Sequence, residues 1–166
     1  SSATNFKFNI TTSFTGWTTG GNLTTARSKL AGCGTQTAAL AIGGKPTRTE
    51  VEEYGGTSWT NGGSLPSGNE QGAAAGTQTA GLYFGGSQQG SPKAVATYEY
   101  NGTAWTGGGN LTTGRTDAAG FGTQTAAAVA GGRTPPIVAS TEEYNGTAWT
   151  AGGNLTAATA EISGAG

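Results

Sequence analysis

Thr35-Gln36-Thr37-Ala38-Ala39-Leu40-Ala41-Ile42-Gly43-Gly44 is the stretch that decides the fold. It returns as Thr77-Gln78-Thr79-Ala80-Gly81-Leu82-Tyr83-Phe84-Gly85-Gly86, and again as Thr123-Gln124-Thr125-Ala126-Ala127-Ala128-Val129-Ala130-Gly131-Gly132. Each copy has a polar start, an apolar run of strand length and a glycine pair that closes it. Outward from it, the block Trp17-Thr18-Thr19-Gly20-Gly21-Asn22-Leu23 restarts at Trp59, Trp105 and Trp149, at spacings of 42, 46 and 44 residues. A glycine-punctuated period of this size indicates a repeat architecture.

One period holds four strand-like runs. Run A is Ser28–Gly34, run B is Thr37–Ile42, run C is Thr49–Tyr54 and run D is Ser58–Thr60. Asn101-Gly102 and Asn145-Gly146, with Gly55-Gly56 in the first copy, fit a tight turn between runs C and D, where positive φ must be cheap. Nothing is helical, because Gly, Thr and Asn interrupt every 3.6-residue pattern. Ahead of the first Trp, Phe6, Phe8 and Ile10 alternate with polar residues, which predicts one more strand.

Four short antiparallel strands per period make one blade of a β-propeller, so the expected class is all-β. An aliphatic strand ending in Gly-Gly, then Glu-Tyr, then Trp, then an Arg-containing loop resembles the kelch repeat. The tyrosines are Tyr54, Tyr100 and Tyr144, and the Arg slot holds Arg27 and Arg115 but Asn69 and Thr159 in the other copies. The wording Asn-Leu-Thr-Thr-x-Arg with Gly-Thr-Gln-Thr-Ala is also similar to kelch-like repeats of marine bacteriophage virion and tail-fibre proteins. The period divides the chain into residues 1–23 (runs C and D of a blade), full blades at 24–65, 66–111 and 112–155, and residues 156–166 (run A alone). Three full blades with partial ones at both ends predict a strained four-membered ring, an assembly of two chains or a piece of a longer propeller, and the last two are favoured. Run A would lie nearest the axis, where Ala31, Gly32 and Gly34 and their counterparts meet the need for small side chains. The Trp and Tyr residues would fill the wider space farther out.

Composition narrows the function. Of 166 residues, 10% are charged and the net charge is −1, which gives no basic stripe for nucleic acid. No apolar run approaches the ~20 residues of a membrane span. The chain has no Met, so it is expected to be processed or a segment of a longer polypeptide. Without His, a His-dependent triad and a His-ligated metal are excluded. Cys33 is the single cysteine, read as a small buried thiol. The only aspartate, Asp117, has no run of companion oxygen ligands, so no calcium loop, metal or cofactor is expected. Glu50, Glu52 and Glu53 cluster, but Glu53, Glu99 and Glu143 recur before each Tyr, and a single active site has no use for three copies. The Asn-x-Thr sequences at Asn9, Asn22, Asn101, Asn110, Asn145 and Asn154 read mainly as by-products of the repeated turn.

Trp17 to Gln36, Trp59 to Gln78 and Trp105 to Gln124 are each 19 residues apart, and all length variation falls between Gly-Gly and Tyr. One face therefore carries uniform loops and the other irregular ones, the usual place for binding. The candidate binding residues are Lys45, Arg48, Gln88, Gln89, Lys93 and Arg133, with no catalytic residue among them. The Thr- and Asn-rich, Lys-poor composition suits an extracellular or virion-surface location. The expectation is a non-enzymatic attachment or decoration module. Its partners would be other copies of itself, other virion or surface structural proteins, or a host glycan, with no nucleic acid and no membrane insertion. The alternatives are an intracellular kelch-type protein-interaction adaptor and a carboxylate-dependent glycan-cleaving enzyme.

Overall fold

A computed structural model describes residues 19–88 and 93–164. The strand expected around Phe6 to Ile10, Trp17, and the end of the last run A at residues 165–166 lie outside the described residues. Within them the protein is all-β.

Three four-stranded antiparallel sheets are each built from one period of the sequence. The first contains β1 (Ala31–Thr35), β2 (Ala38–Ile42), β3 (Val51–Tyr54) and β4 (Trp59–Asn61), paired in sequence order. Between the first and second sheets comes β5 (Asn69–Glu70). The second sheet contains β6 (Ala73–Gly76), β7 (Gly81–Phe84), β9 (Thr97–Tyr100) and β10 (Trp105–Gly107); β8 (Ser87–Gln88) leaves it to pair with β5. The third contains β11 (Ala119–Thr123), β12 (Ala126–Ala130), β13 (Thr141–Tyr144) and β14 (Trp149–Ala151).

Run A was expected from Ser28, but the strand begins at Ala31. Lys29 takes a left-handed φ of 55°, which breaks the extended path, and Ser28 instead bridges Lys45. Ser28–Lys45, the β5–β8 pair and the Thr116–Arg133 bridge are three versions of one contact. In each, the residue after a glycine pair joins the residue ahead of its own first strand.

Alternation along the second strands sets the layers. Leu40 and Ile42 pack with Val51, Leu65, Tyr83, Tyr100 and Trp105 between the first and second sheets. Leu82 and Phe84 face the other way and pack with Leu111, Ala127, Val129, Tyr144 and Trp149 between the second and third. Burying each of these large side chains contributes about 2 kcal/mol. Each Tyr stacks near its own Trp, with centroids 4.8 Å apart for Tyr100–Trp105 and 5.0 Å for Tyr144–Trp149. The inner strands β1, β6 and β11, with residues 163–164, surround a central cavity lined by Ala and Gly.

Candidate functional site

The loops after each glycine pair interlock with the loops that lead into the next sheet. Gly44 N–H donates to the Asn69 carbonyl (2.9 Å), Gly86 N–H to Arg115 (2.8 Å) and Gly132 N–H to Thr159 (2.8 Å). Gly43 and Gly85 have φ of 63° and 69°, and a Cβ on either would collide with those same carbonyls. A side chain is excluded there by both conformation and space.

Next to this seam runs a ring that sequence reasoning missed. Lys29, Gln71, Asp117 and Glu161 each stand twelve residues after a Trp. All four adopt left-handed φ between 55° and 59°, which is uncommon outside glycine. Gln71 N–H donates to the Lys29 carbonyl, Asp117 N–H to Gln71 and Glu161 N–H to Asp117, at 2.8–3.0 Å. Their side chains rim one mouth of the central cavity. The Gln71 amide donates to both Asp117 carboxylate oxygens (2.9 and 3.2 Å). The available signal was a polar position differing in every copy inside an otherwise uniform segment.

The six predicted residues turn to different partners. Lys45 is exposed, and its N–H donates to the Ser28 carbonyl (2.7 Å). Arg48 donates to the Glu50 carboxylate at 2.9 Å beside a shallow hollow of Pro46, Thr47, Ser67 and Gly68. The Glu50 carboxyl is held below its ordinary value, first by a backbone hydrogen bond and then by Arg48. Gln88 donates to the Tyr98 hydroxyl (3.1 Å). Gln89 lies outside the described residues. Lys93 is half-buried, and Gly114 packs against its carbonyl. Arg133 alone reaches the mouth, 2.8 Å from Glu161 and 3.7 Å from Asp117.

The recurring carboxylates hold the sheets together. Tyr144 hydroxyl donates to Glu99 (2.6 Å) and accepts from Gly109 N–H (3.3 Å); Tyr100 does the same with Glu53 and Gly63. Burial, and then these bonds to carboxylates, push both phenols above their ordinary range. Glu142 is buried, 2.6 Å from Arg115, and Glu52 pairs with Arg27 at 3.2 Å. Burial likewise pushes the Cys33 thiol up to about 12, which keeps it protonated and inert at neutral pH. Comparison with protein-family models and with curated proteins gives no match.

Proposed function

We propose that the chain is a non-enzymatic propeller module of kelch-like blades, one blade per four-stranded sheet, serving attachment or decoration on a virion or cell exterior. The observation that carries this reading is a division of labour among polar side chains. Those that recur in each copy (Gln78 and Gln124, Glu53 and Glu99, Tyr100 and Tyr144) bond one sheet to the next. Apart from the buried Arg115 and Glu142, which Asn69 and Tyr98 replace in the middle copy, those that differ between copies gather on the loop face, around Arg48 and around the cavity mouth with Arg133, Gln71, Asp117 and Glu161. Recurring carboxylates engaged between sheets support a scaffold role over catalysis, and a variable rim on a rigid base supports recognition.

The ligand would be a host glycan or a neighbouring structural protein, met by the loops that carry Lys45, Arg48, Gln88, Gln89, Lys93 and Arg133. A glycan array probed with the chain, alongside an Arg48→Ala/Arg133→Ala variant, tests the glycan form. Saturable binding that the double variant weakens supports it. Binding by neither protein, at any concentration up to millimolar, sinks it and leaves the structural-protein form.

A further inference from the structure

Asn-Gly occurs three times in the chain, at Asn61-Gly62, Asn101-Gly102 and Asn145-Gly146. The last two open the tight turns from β9 to β10 and from β13 to β14, at the end of the sheets away from the glycine pairs. Both side chains are set in one geometry. Asn101 Oδ1 accepts from Thr103 N–H (3.0 Å) and Ala104 N–H (2.9 Å). Asn145 Oδ1 accepts from Thr147 N–H (3.0 Å) and Ala148 N–H (2.9 Å). Each bond from Thr closes a ring that contains the side-chain Cγ and the nitrogen of the intervening glycine. Carbonyl carbon and nitrogen are thus held in one turn, and both asparagines are exposed to water.

The glycine nitrogens differ between the three pairs. Gly102 N–H and Gly146 N–H donate to no acceptor among the described residues, whereas Gly62 N–H is committed to the Val51 carbonyl at 2.9 Å. Asn61 is itself the last residue of β4, paired with Glu52. The turn does not depend on the amide. The first copy carries Gly55 in place of the asparagine, and Gly55 N–H still donates to the Ser58 carbonyl (3.0 Å), as Asn101 N–H donates to Ala104 and Asn145 N–H to Ala148 (both 3.2 Å).

We propose that Asn101 and Asn145 are sites of self-promoted deamidation, each turn supplying its own oxyanion hole. The Gly102 nitrogen attacks Asn101 Cγ and a C–N bond forms, while negative charge gathers on Oδ1 beneath the two N–H groups. The glycine N–H proton passes through solvent to the amide nitrogen, which leaves as ammonia. The succinimide then takes up one water and opens to aspartate or isoaspartate. Gly146 and Asn145 react in the same way. Donors aimed at the oxygen where charge develops lower such a barrier, and a nucleophile held in the same turn spares the cost of bringing it there. Each conversion adds one negative charge to a net charge of −1, and an aspartate accepts the same two bonds from the turn. The inference is independent of what the loop face binds.

The test is peptide mass mapping of the full chain after timed incubation in mildly alkaline buffer, once folded and once in guanidinium chloride, with isoaspartate counted by enzymatic methylation. The denatured chain sets the reference rate of each Asn-Gly pair. In the folded chain Asn101 and Asn145 are expected to convert at least as fast as in denaturant. Asn61 is expected to convert roughly tenfold slower than either, because its glycine must first give up the Val51 bond. Slower conversion of Asn101 and Asn145 in the folded chain than in denaturant overturns the proposal, since the bonds to Oδ1 then shield the amide instead of activating it. Folded-state conversion of Asn61 at the rate of the other two overturns it as well.

Discussion

Replacing Arg115 with asparagine leaves the Glu142 carboxylate buried without its cation. In the parent, Arg115 Nη2 donates to Glu142 at 2.6 Å, and Arg115 Nη1 donates to the Gly131 (3.0 Å) and Ser140 (2.9 Å) carbonyls. Both residues are 2% exposed, so solvent cannot stand in for the lost partner. Breaking one side of such a pair costs about 3–5 kcal/mol, a large part of the ~5–15 kcal/mol that holds a domain together. The chain contains its own alternative. At the corresponding positions of the middle repeat, Asn69 replaces Arg115, Tyr98 replaces Glu142, and Pro66 replaces Thr112. Thr112 N–H donates to Glu142 at 2.7 Å, and proline has no N–H to leave stranded. Asn69 Nδ2 still bonds the Gly85 carbonyl (3.2 Å), as Arg115 bonds Gly131. The Arg115→Asn single variant is therefore expected to unfold about 1–2 M earlier in urea. The triple variant Arg115→Asn/Glu142→Tyr/Thr112→Pro should return to within ~1 kcal/mol of the parent, a coupling that a mutant cycle reads directly. A triple variant as unstable as the sum of its singles would refute the reasoning.

Two further predictions concern the seams between sheets. Gln124→Ala removes both bonds to the second sheet and is expected to cost about 1–2 kcal/mol in urea unfolding, whereas Gln36→Ala, at an exposed position, should stay within ~0.5 kcal/mol of the parent. Tyr100 and Tyr144 have raised folded-state pKa values, so their contribution is complete below the unfolded value near 10 and is lost as pH rises through the folded one. Melting temperature should fall above about pH 10, and the fall should be shallower in Tyr144→Phe; an identical slope in that variant counts against the assignment.

The sheets were legible because every local preference was stated several times over. Alternation at Leu40 and Ile42, the glycine pairs and the Asn-Gly turns all gave the same strand limits in each copy, and consistency of this kind is what specifies a fold. The ties between sheets were hidden. A glutamine at the head of a strand looks like polar punctuation until the carbonyls of Ala39 and Tyr54 are placed beneath it. The departure of Asn69 from the Arg slot was visible by eye. That Tyr98 and Pro66 depart with it was not, because their common cause is a buried charge pair that exists only after folding. The ring of Lys29, Gln71, Asp117 and Glu161 escaped for another reason. Left-handed backbone is normally announced by glycine or asparagine, and none of the four is either.

These ties also account for the pattern of lengths. From Trp17 to Gln36, Trp59 to Gln78 and Trp105 to Gln124 the count never varies, and in the second of these both ends are anchored to one sheet pair. The stretch from Trp59 to Gln78 passes Gly63, whose carbonyl accepts from the Trp105 indole at 2.9 Å, and ends where Gln78 bonds back to the first sheet. In between, Gln71 N–H is held by the Lys29 carbonyl. An inserted residue would have to break one of three registered bonds, each buried or half-buried, and leave a polar group unpaired. After the glycine pair the constraint is weaker. Gly86 N–H is fixed to Arg115, while Gly85 N–H to Ala96 and Ala94 N–H to Gly86 close the loop at its base. Loop length there costs only the slow logarithm of chain closure. Variation in length is thus confined to the loops after the glycine pairs by the hydrogen bonds that hold the sheets, so insertions are available there without disturbing the scaffold.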